Sequence, residues 1–264
     1  MNIGIIGYGS MGKMLADKFA KSHWNVYVST RTRGRLESAP RELHICEDNI
    51  ELAQVSDIIF VCVRPGDLLD VISGIDGVAK DDALIVSLNG SVSFEAIRGV
   101  TSKKTAKVIP SVTAEIDRSQ TLVTYSESAG EEDKARLKEL LSVIGNVIEL
   151  PENEMGMGSE LVSCMPGFIA SMFDVVCESA KKHTSIPDDQ IVNMVLNTMS
   201  ATGDLMLQKD ISFKDVVGRV ATKGGITEVG AKVIYDQFPK TADEMFVQTM
   251  AKRRKTASES KPTD

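Results

Sequence analysis

Three glycines near the start of the chain have the spacing of a phosphate-binding loop. Residues 7–12 read Gly-Tyr-Gly-Ser-Met-Gly, between the apolar run 2–6 and a helical pattern that begins at residue 10. In this context the first glycine permits a tight turn, the second lets a phosphate approach the backbone, and the third allows close packing of helix on strand. The pattern predicts a dinucleotide pyrophosphate over the helix N-terminus. The predicted contacts are Gly7, Tyr8, Gly9, Ser10, Met11 and Gly12.

The end of the second predicted strand indicates which dinucleotide binds. A site for NAD places Asp or Glu there, where the carboxylate binds the ribose hydroxyls. This chain reads Val-Ser-Thr-Arg-Thr-Arg over residues 28–33 and has no carboxylate before Glu37. Hydroxyls and guanidinium groups suit a 2′-phosphate, which arginine binds with paired charged hydrogen bonds. The sequence therefore favours NADP(H), with an exposed polar loop as the alternative. The residues assigned to this phosphate are Ser29, Thr30, Arg31 and Arg33.

Two further segments follow predicted strands. Residues 62–65 end the fourth strand and residues 87–90 end the fifth. Because ligands of open parallel sheets bind beyond the carboxyl ends of the strands, both segments are expected to line the cofactor. Arg64 could contact a phosphate or the substrate, or could be a surface arginine. The residues assigned to the cofactor here are Val63, Arg64, Pro65 and Asn89.

The elements that must position these residues alternate along the first part of the chain. Short apolar runs separated by helical patterns are typical of βαβ units around a parallel sheet. The predicted strands are residues 2–6, 25–29, 43–46, 58–63, 84–87, 107–109, 121–125 and 147–150. The predicted helices are residues 10–21, 50–54, 67–72, 94–100 and 131–144.

The pattern changes after Pro151. Strand-like runs stop, helical spacing dominates, and nine of the twelve methionines lie beyond residue 151. Because methionine fills irregular cores, these residues are first of all expected to form an adaptable core, and their concentration in a small helical domain also suits a subunit interface. We predict a dinucleotide-binding domain over residues 1–151, a helical domain over residues 152–250, and a polar, disordered tail over residues 251–264 that includes the basic run 252–255.

Composition excludes several classes of protein. The 264 residues include 30 basic and 37 acidic side chains, which argues against a nucleic-acid surface. The longest purely apolar run, residues 58–63, is too short to cross a membrane, and the N-terminus has no secretory signal. The four cysteines show no CxxC spacing and the three histidines are isolated, so neither a metal site nor a disulfide framework is expected. A cytoplasmic location fits best.

Three segments resemble the pyrroline-5-carboxylate reductase family, and the resemblance extends to about residue 246. Residues 7–12 match the family's GxGxMG fingerprint, and Val63-Arg64-Pro65 matches its VKP segment. The most specific match is its SPGGTT segment, which appears as Thr-Lys-Gly-Gly-Ile-Thr over residues 222–227 and leads into a helix. The resemblance implies an α/β fold in which an N-terminal Rossmann domain, a doubly wound and mostly parallel sheet, is followed by an all-helical dimerisation domain.

The resemblance also implies an activity and roles for residues. It implies NADPH-dependent reduction of pyrroline-5-carboxylate to proline, in proline biosynthesis, with a partner subunit that completes the active site. The turn formed by Thr222, Lys223, Gly224 and Gly225 would bind the substrate carboxylate, and Thr227 would offer its hydroxyl to the ring nitrogen as the catalytic residue. Two glycines before a helix N-terminus favour an anion on physical grounds as well.

Departures from the family pattern leave alternatives open. The MPNTP segment appears as Ile-Pro-Ser-Val-Thr over residues 109–113, SGSGPAY appears as residues 162–168, and Lys223 replaces a proline. These segments look most like a divergent branch that includes a late-competence protein of bacilli. A protein of this kind could reduce another cyclic imine or could bind NADP in a regulatory role. A 3-hydroxyacid dehydrogenase is disfavoured because residues 152–180 contain no lysine to act as general acid or base.

Overall fold

The computed structural model describes residues 1–37 and 39–259. By packing, the chain divides into two compact units. The first unit contains Met1–Pro166 and the C-terminal segment that begins at Met250, and the second unit contains Gly167–Thr249. The sequence pattern changes at Pro151, whereas the division by packing falls after Pro166, so the first turns of the helical region belong to the first unit.

An eight-stranded sheet forms the centre of the first unit. Its strands are β1 Asn2–Ile6, β2 Asn25–Ser29, β3 Leu43–Ile45, β4 Ile58–Val61, β5 Leu84–Ser87, β6 Lys104–Ile109, β7 Ser119–Tyr125 and β8 Gly145–Glu149. Their spatial order is β3-β2-β1-β4-β5-β6-β7-β8, and only the β6–β7 pair is antiparallel. The first six strands therefore follow the strand order of a Rossmann sheet, which confirms the predicted fold class.

Alternation along the strands builds a hydrophobic core on each face of the sheet. In β4, Ile58 and Phe60 belong to one apolar cluster, whereas Ile59 and Val61 belong to another. Since successive side chains of a strand point to opposite faces, the strand is covered on both sides by helices. The helices of this unit are α1 Ser10–Phe19, α2 Asn49–Val55, α3 Leu68–Asp76, α4 Phe94–Arg98, α5 Glu131–Leu141 and α6 Met155–Ser159.

Four long or medium helices follow. They are α7 Met165–Ala180, α8 Asp188–Lys209, α9 Phe213–Val220 and α10 Ile226–Glu259. Many of their large apolar side chains are exposed in the single chain. Examples are Val175, Met194, Leu196, Leu207, Phe213, Val229 and Ile234. An apolar surface of this extent is typical of a protein-binding interface.

One helical stretch, Glu152–His183, is long and apolar enough to span a membrane by length and composition alone. Little of it is buried within the chain. The sequence prediction considered only uninterrupted apolar runs, of which residues 58–63 are the longest, and so it did not identify this stretch. Runs interrupted by small and polar residues still give a strongly apolar helix surface.

The prediction of a disordered tail from residue 251 is wrong for residues 251–259. These residues continue helix α10, which ends at Glu259. Arg253 binds the buried carboxylate of Glu160 through Nη2 at 2.8 Å, so the basic run contains an anchored side chain. Residues 260–264 of the predicted tail lie outside the described residues.

Candidate functional site

The glycine loop has the tight geometry that its sequence predicts. Gly7 has φ of +98°, and a Cβ atom at this position would lie 2.5 Å from the carbonyl oxygen of Cys62. At Gly12, a Cβ atom would lie 2.0 Å from the carbonyl oxygen of Gly7. Both positions therefore require glycine, one for its backbone conformation and the other because the helix packs closely against the turn.

The N-terminus of α1 is available to an anion. Gly9 is the N-cap residue. In the described chain, the first backbone N–H groups of the helix have no side-chain cap, and the first turn contains no acidic residue. A Cβ atom at Gly9 would have Arg35 Nη1, at 3.8 Å, as its nearest neighbour, so there is open space above the backbone. Uncapped N–H groups at a helix N-terminus form a phosphate-binding site.

A cavity of about 640 Å³ lies over this loop. Its size is suitable for a cofactor or small ligand. The structure brings ten of the predicted cofactor residues to its wall, from three different parts of the chain. These residues are Gly7, Tyr8, Gly9, Ser10, Met11, Gly12, Thr30, Arg31, Val63 and Arg64.

Four predicted cofactor residues lie outside this wall. The Ser29 hydroxyl is buried and donates to Asn49 Oδ1, and Arg33 Nη2 donates to the carbonyl oxygen of Glu47. Asn89 Oδ1 accepts from the N–H of Ser91, and Pro65 begins a short 3₁₀ turn. Their side chains or backbone therefore shape the loops beside the cavity without lining it.

A carboxylate that the local sequence argument did not anticipate reaches the Arg31 side chain. Asp67, at the end of the turn Pro65–Asp67 after β4, accepts from Arg31 Nη2 at 2.8 Å, and both residues line the cavity. Arg35 and Asn49 also line it. The signal that could have found Asp67 is its place just beyond β4, since the carboxyl ends of neighbouring parallel strands meet at one edge of the sheet.

Tyr8 is a buried residue in the cavity wall. Its hydroxyl donates to Asp17 Oδ1 at 3.1 Å. Burial, together with the negative charge of Asp17, raises the pKa of the Tyr8 phenol to about 12. The ring is therefore neutral at physiological pH, and it packs beside the phosphate loop without adding an anion there.

A π-helical turn, Glu160–Cys164, links α6 and α7 and brings Ser163 to the cavity wall. Such turns are frequent at functional sites because they change which side chains a helix presents. Glu160 is 1% exposed, and its Oε1 accepts from two nitrogens of Arg253. Arg253 also donates to the Ser159 hydroxyl at 3.1 Å. This cluster was not predicted from the sequence.

The predicted substrate turn, residues 222–225, lies in the second unit. The N–H of Gly225 donates to the carbonyl oxygen of Thr222 at 2.8 Å, and Gly224 has φ of +72°. These features are typical of a type II turn, in which Lys223 occupies the position that favours proline and Gly224 the position that favours glycine. The turn is exposed except for Gly225, which is partly buried.

The first turn of α10 follows directly. Because α10 begins at Ile226, Thr227 lies within the first turn and not at the N-cap position. Its side chain is exposed in the single chain. The N–H of Gly224 donates to Glu228 Oε2 at 2.6 Å, so this turn binds a carboxylate of its own chain.

The donor set in the first unit fits a dinucleotide. The open space at Gly9 would admit a pyrophosphate, and the N–H groups at the start of α1 would be its donors. Thr30 and two arginines, Arg31 and Arg35, surround the position beyond β2. Within the described ranges, no group of three or more His, Cys, Asp or Glu side chains is placed to hold a metal ion.

The fold and this cavity define a Rossmann-type dinucleotide-binding protein with a helical C-terminal region. Residues 2–90 match the family described as NADP oxidoreductase, coenzyme F420-dependent, and residues 152–256 match the pyrroline-5-carboxylate reductase dimerisation family. The chain is 34% identical to pyrroline-5-carboxylate reductase 3 of Bacillus subtilis, over 95% of this chain and 94% of that protein. The chain belongs to the pyrroline-5-carboxylate reductase family, as its motifs predicted.

Other relatives agree with this assignment. ComE operon protein 4 of Bacillus subtilis is 25% identical, over 96% of this chain and 95% of that protein. The crystal structure of the Plasmodium falciparum pyrroline carboxylate reductase with NADP bound superposes with a TM-score of 0.86, at 19% identity, and covers 97% of this chain and 98% of that one. A pyrroline-5-carboxylate reductase from Coxiella burnetii gives the same TM-score at 19% identity, with 99% of each chain covered. These two structures share the fold.

Proposed function

We propose that the protein is an NADPH-dependent oxidoreductase that reduces the cyclic imine pyrroline-5-carboxylate to proline. The observation that carries this proposal is the 34% identity, over 95% of the chain, to a Bacillus subtilis protein named pyrroline-5-carboxylate reductase. The activity places the protein in proline biosynthesis, and a cytoplasmic location is consistent with it.

In this proposal the first unit binds NADP(H). The N–H groups at the start of α1 bind the pyrophosphate, and Gly9 leaves room for it. Thr30 and Arg31 bind the 2′-phosphate, because a guanidinium group forms strong charged hydrogen bonds with phosphate oxygens. When bound, the nicotinamide supplies the hydride, and the protein supplies orientation and electrostatics.

The turn in the second unit binds the substrate. The cation of Lys223 and the Gly224 N–H, once the substrate displaces Glu228 from it, favour the substrate carboxylate, as a nest before a helix N-terminus does. The Thr222 carbonyl oxygen holds the turn closed through its hydrogen bond from Gly225. Thr227 offers its hydroxyl to the ring nitrogen from the first turn of α10.

We also propose that the helical region forms a homodimer or a higher homo-oligomer. Its exposed apolar side chains are numerous, and the segment that carries them matches a dimerisation family. A partner copy that covers the apolar surface of Glu152–His183 accounts for that surface without a membrane. Light scattering at micromolar concentration tests this assembly, and a stable monomer contradicts it.

A regulatory NADP-binding protein, or a reductase for another cyclic imine, is the alternative. The observations that favour it are Lys223 in the substrate turn and the similarity to ComE operon protein 4. A 3-hydroxyacid dehydrogenase remains disfavoured, since residues 152–180 contain no lysine.

One experiment separates these functions. NADPH binding is measured by fluorescence, and NADPH oxidation is then followed with pyrroline-5-carboxylate and with related cyclic imines. Rapid oxidation with pyrroline-5-carboxylate supports the proposal. Binding without oxidation supports the regulatory alternative, whereas a strong preference for another imine identifies a different substrate. Absence of NADPH binding contradicts the cofactor assignment itself.

A further inference from the structure

We propose that Asp67 sets the balance between NADPH and NADH, because it holds the guanidinium group that binds the 2′-phosphate. This inference rests on the proposed binding of NADP(H) in the cavity of the first unit. It concerns a carboxylate that comes from the turn after β4 and not from the end of β2.

The geometry pairs a cation of the cavity wall with a carboxylate of the same wall. Arg31 Nη2 lies 2.8 Å from Asp67 Oδ2, and both side chains line the cavity beside the phosphate loop. A 2′-phosphate that binds Arg31 must share this guanidinium with Asp67 or displace it. Because the phosphate carries close to two negative charges at neutral pH, it also experiences direct repulsion from the carboxylate.

Asp67 is the more constrained partner of the pair. Its side chain is 38% exposed, whereas that of Arg31 is 85% exposed. The N–H of Asp67 donates to the carbonyl oxygen of Arg64 at 3.0 Å, which fixes the turn that carries it. The carboxylate therefore stays at the cavity wall, and the arginine is the side chain that can move toward a phosphate.

Two nearby arginines, Arg33 and Arg35, do not replace Arg31 at this carboxylate. Arg33 is turned toward the carbonyl oxygen of Glu47, and Arg35 lies near the phosphate loop, with Nη1 at 3.8 Å from the Cβ position of Gly9. The Asp67 carboxylate is thus paired with the same arginine that the sequence assigns to the 2′-phosphate.

The same carboxylate favours the cofactor that lacks the phosphate. In NAD sites, Asp or Glu after the second strand accepts hydrogen bonds from the ribose hydroxyls. Asp67 brings a carboxylate acceptor to the cavity from the turn after β4. The protein is therefore expected to use NADH as well as NADPH, with a smaller preference for NADPH than Arg31 alone gives.

Calorimetric titration of the full-length protein with NADPH, NADH and adenosine 2′,5′-bisphosphate tests this inference by binding alone. Asp67→Asn should tighten NADPH and adenosine 2′,5′-bisphosphate by roughly two- to fivefold, the range of an exposed ion pair, and should leave NADH unchanged or weaker. The gain should shrink as salt is raised, because screening weakens the pair. Asp67→Ala is a second variant, and unchanged melting temperatures verify that both fold.

Two controls complete the experiment. Asp70→Asn, at an exposed position one turn further along in α3, should change neither affinity. In an Arg31→Ala background, Asp67→Asn should tighten NADPH clearly less than it does in the unmodified protein, since only the direct repulsion between carboxylate and phosphate is then relieved. An effect of the same size in that background, or equal NADPH affinities for Asp67→Asn and the unmodified protein, overturns the inference. Failure of the unmodified protein to bind either dinucleotide overturns the proposed function instead.

Discussion

The Glu228 carboxylate accepts a hydrogen bond from a backbone N–H that the family resemblance assigns to the substrate. Its Oε2 accepts from the N–H of Gly224 at 2.6 Å, from a position in the first turn of α10. A glutamate in this turn commonly reaches back to an N–H before the helix, where the helix dipole also favours its charge. The turn therefore holds a carboxylate of its own chain, and a substrate that binds here, as proposed, would have to compete with it.

Removal of Glu228 should expose this competition. We expect Glu228→Ala to lower the KM for pyrroline-5-carboxylate by roughly two- to fivefold and to reduce stability by about 0.3–1 kcal/mol, the usual value of an acidic group at a helix N-terminus. Steady-state kinetics and thermal denaturation measure the two effects. Asp243→Ala, at an exposed position further along α10, is the control. A higher KM in Glu228→Ala would mean that Glu228 supports the binding conformation of the turn.

Lys223 occupies a position in the turn that accepts proline. Because Gly224 has a positive φ and the turn is closed by the Gly225 N–H, the position before Gly224 is expected to have the φ of proline. We expect Lys223→Pro to raise the free energy of unfolding by about 0.4–1 kcal/mol, since it restricts the unfolded chain. Denaturant titration measures this change, with Lys223→Ala as control.

The charge of Lys223 has a separate test. Lys223→Met keeps most of the side-chain length and removes the cation. If the cation attracts the substrate, the variant should show a higher KM that depends less on salt. An unchanged KM at both low and high salt would assign the side chain to solvent.

Thr227→Ala should reduce turnover and leave NADPH affinity unchanged. Thr227 lies inside the first turn of α10, so its hydroxyl is not needed as the N-cap. Loss of a group that assists proton transfer typically lowers kcat on the order of 10²-fold, and Thr227→Ser should recover most of the rate because it keeps the oxygen. Equal turnover in the alanine variant, together with a lower melting temperature, would make Thr227 a structural residue only.

Arg253→Met should destabilise the protein strongly. The variant leaves the Glu160 carboxylate buried without its cation. Removal of one partner of a buried ion pair lowers the free energy of unfolding by about 3–5 kcal/mol. Lys252→Met, at the exposed neighbouring position, is expected to stay within about 0.5 kcal/mol of the parent. Chemical denaturation followed by circular dichroism compares the two. Equal stabilities would show that the Glu160 site relaxes when its cation is removed.

Asp133 should make stability depend on pH in the acid range. Burial by itself would raise its pKa, but hydrogen bonds from the Gly130 N–H, Lys104 and Arg136 outweigh this and hold the pKa below its ordinary value. The stabilisation is therefore complete above the unfolded pKa of about 3.9 and disappears as the pH falls through the lower pKa of the folded state.

Asp133→Asn tests this dependence. The variant should be less stable by about 1–3 kcal/mol near pH 7, and the difference should decrease below about pH 4. Denaturant titrations at several pH values measure it, and Glu139→Gln on the same helix serves as an exposed control. A difference that stays constant down to the lowest measurable pH would contradict the lowered pKa.

All eight strands were predicted from their apolar runs, and β1, β2 and β5 were predicted with their full bounds. The sixth strand was predicted from Lys107 only, whereas β6 begins at Lys104. Two lysines interrupt its apolar pattern, and Lys107 is 2% exposed because Glu152 and the carbonyl oxygen of Val92 bind its ammonium group. A buried charge with partners far away in the sequence cannot be recognised from hydrophobic periodicity.

The cofactor site was predictable where one short segment forms it. The loop 7–12 carries its own conformational signature, and all six of its residues line the cavity. Asp67 and Ser163 were missed because they reach the cavity from loops that only the sheet order and the π-helical turn bring there. Arg253 was assigned to a solvated tail because its partner is 93 residues away.

The ion pair between Arg253 and Glu160 has a consequence for the order of synthesis. A growing chain exposes Met1–Pro166 long before the segment that begins at Met250, yet both belong to the same packed unit. Until that segment is made, the Glu160 carboxylate lacks the Arg253 cation that compensates its charge when it is buried. N-terminal domains commonly fold while translation continues, but here the first unit can complete its packing only after the segment that begins at Met250 has been synthesised. Truncation before Arg253 should therefore impair the dinucleotide-binding unit, although the deleted residues are far from it in the sequence.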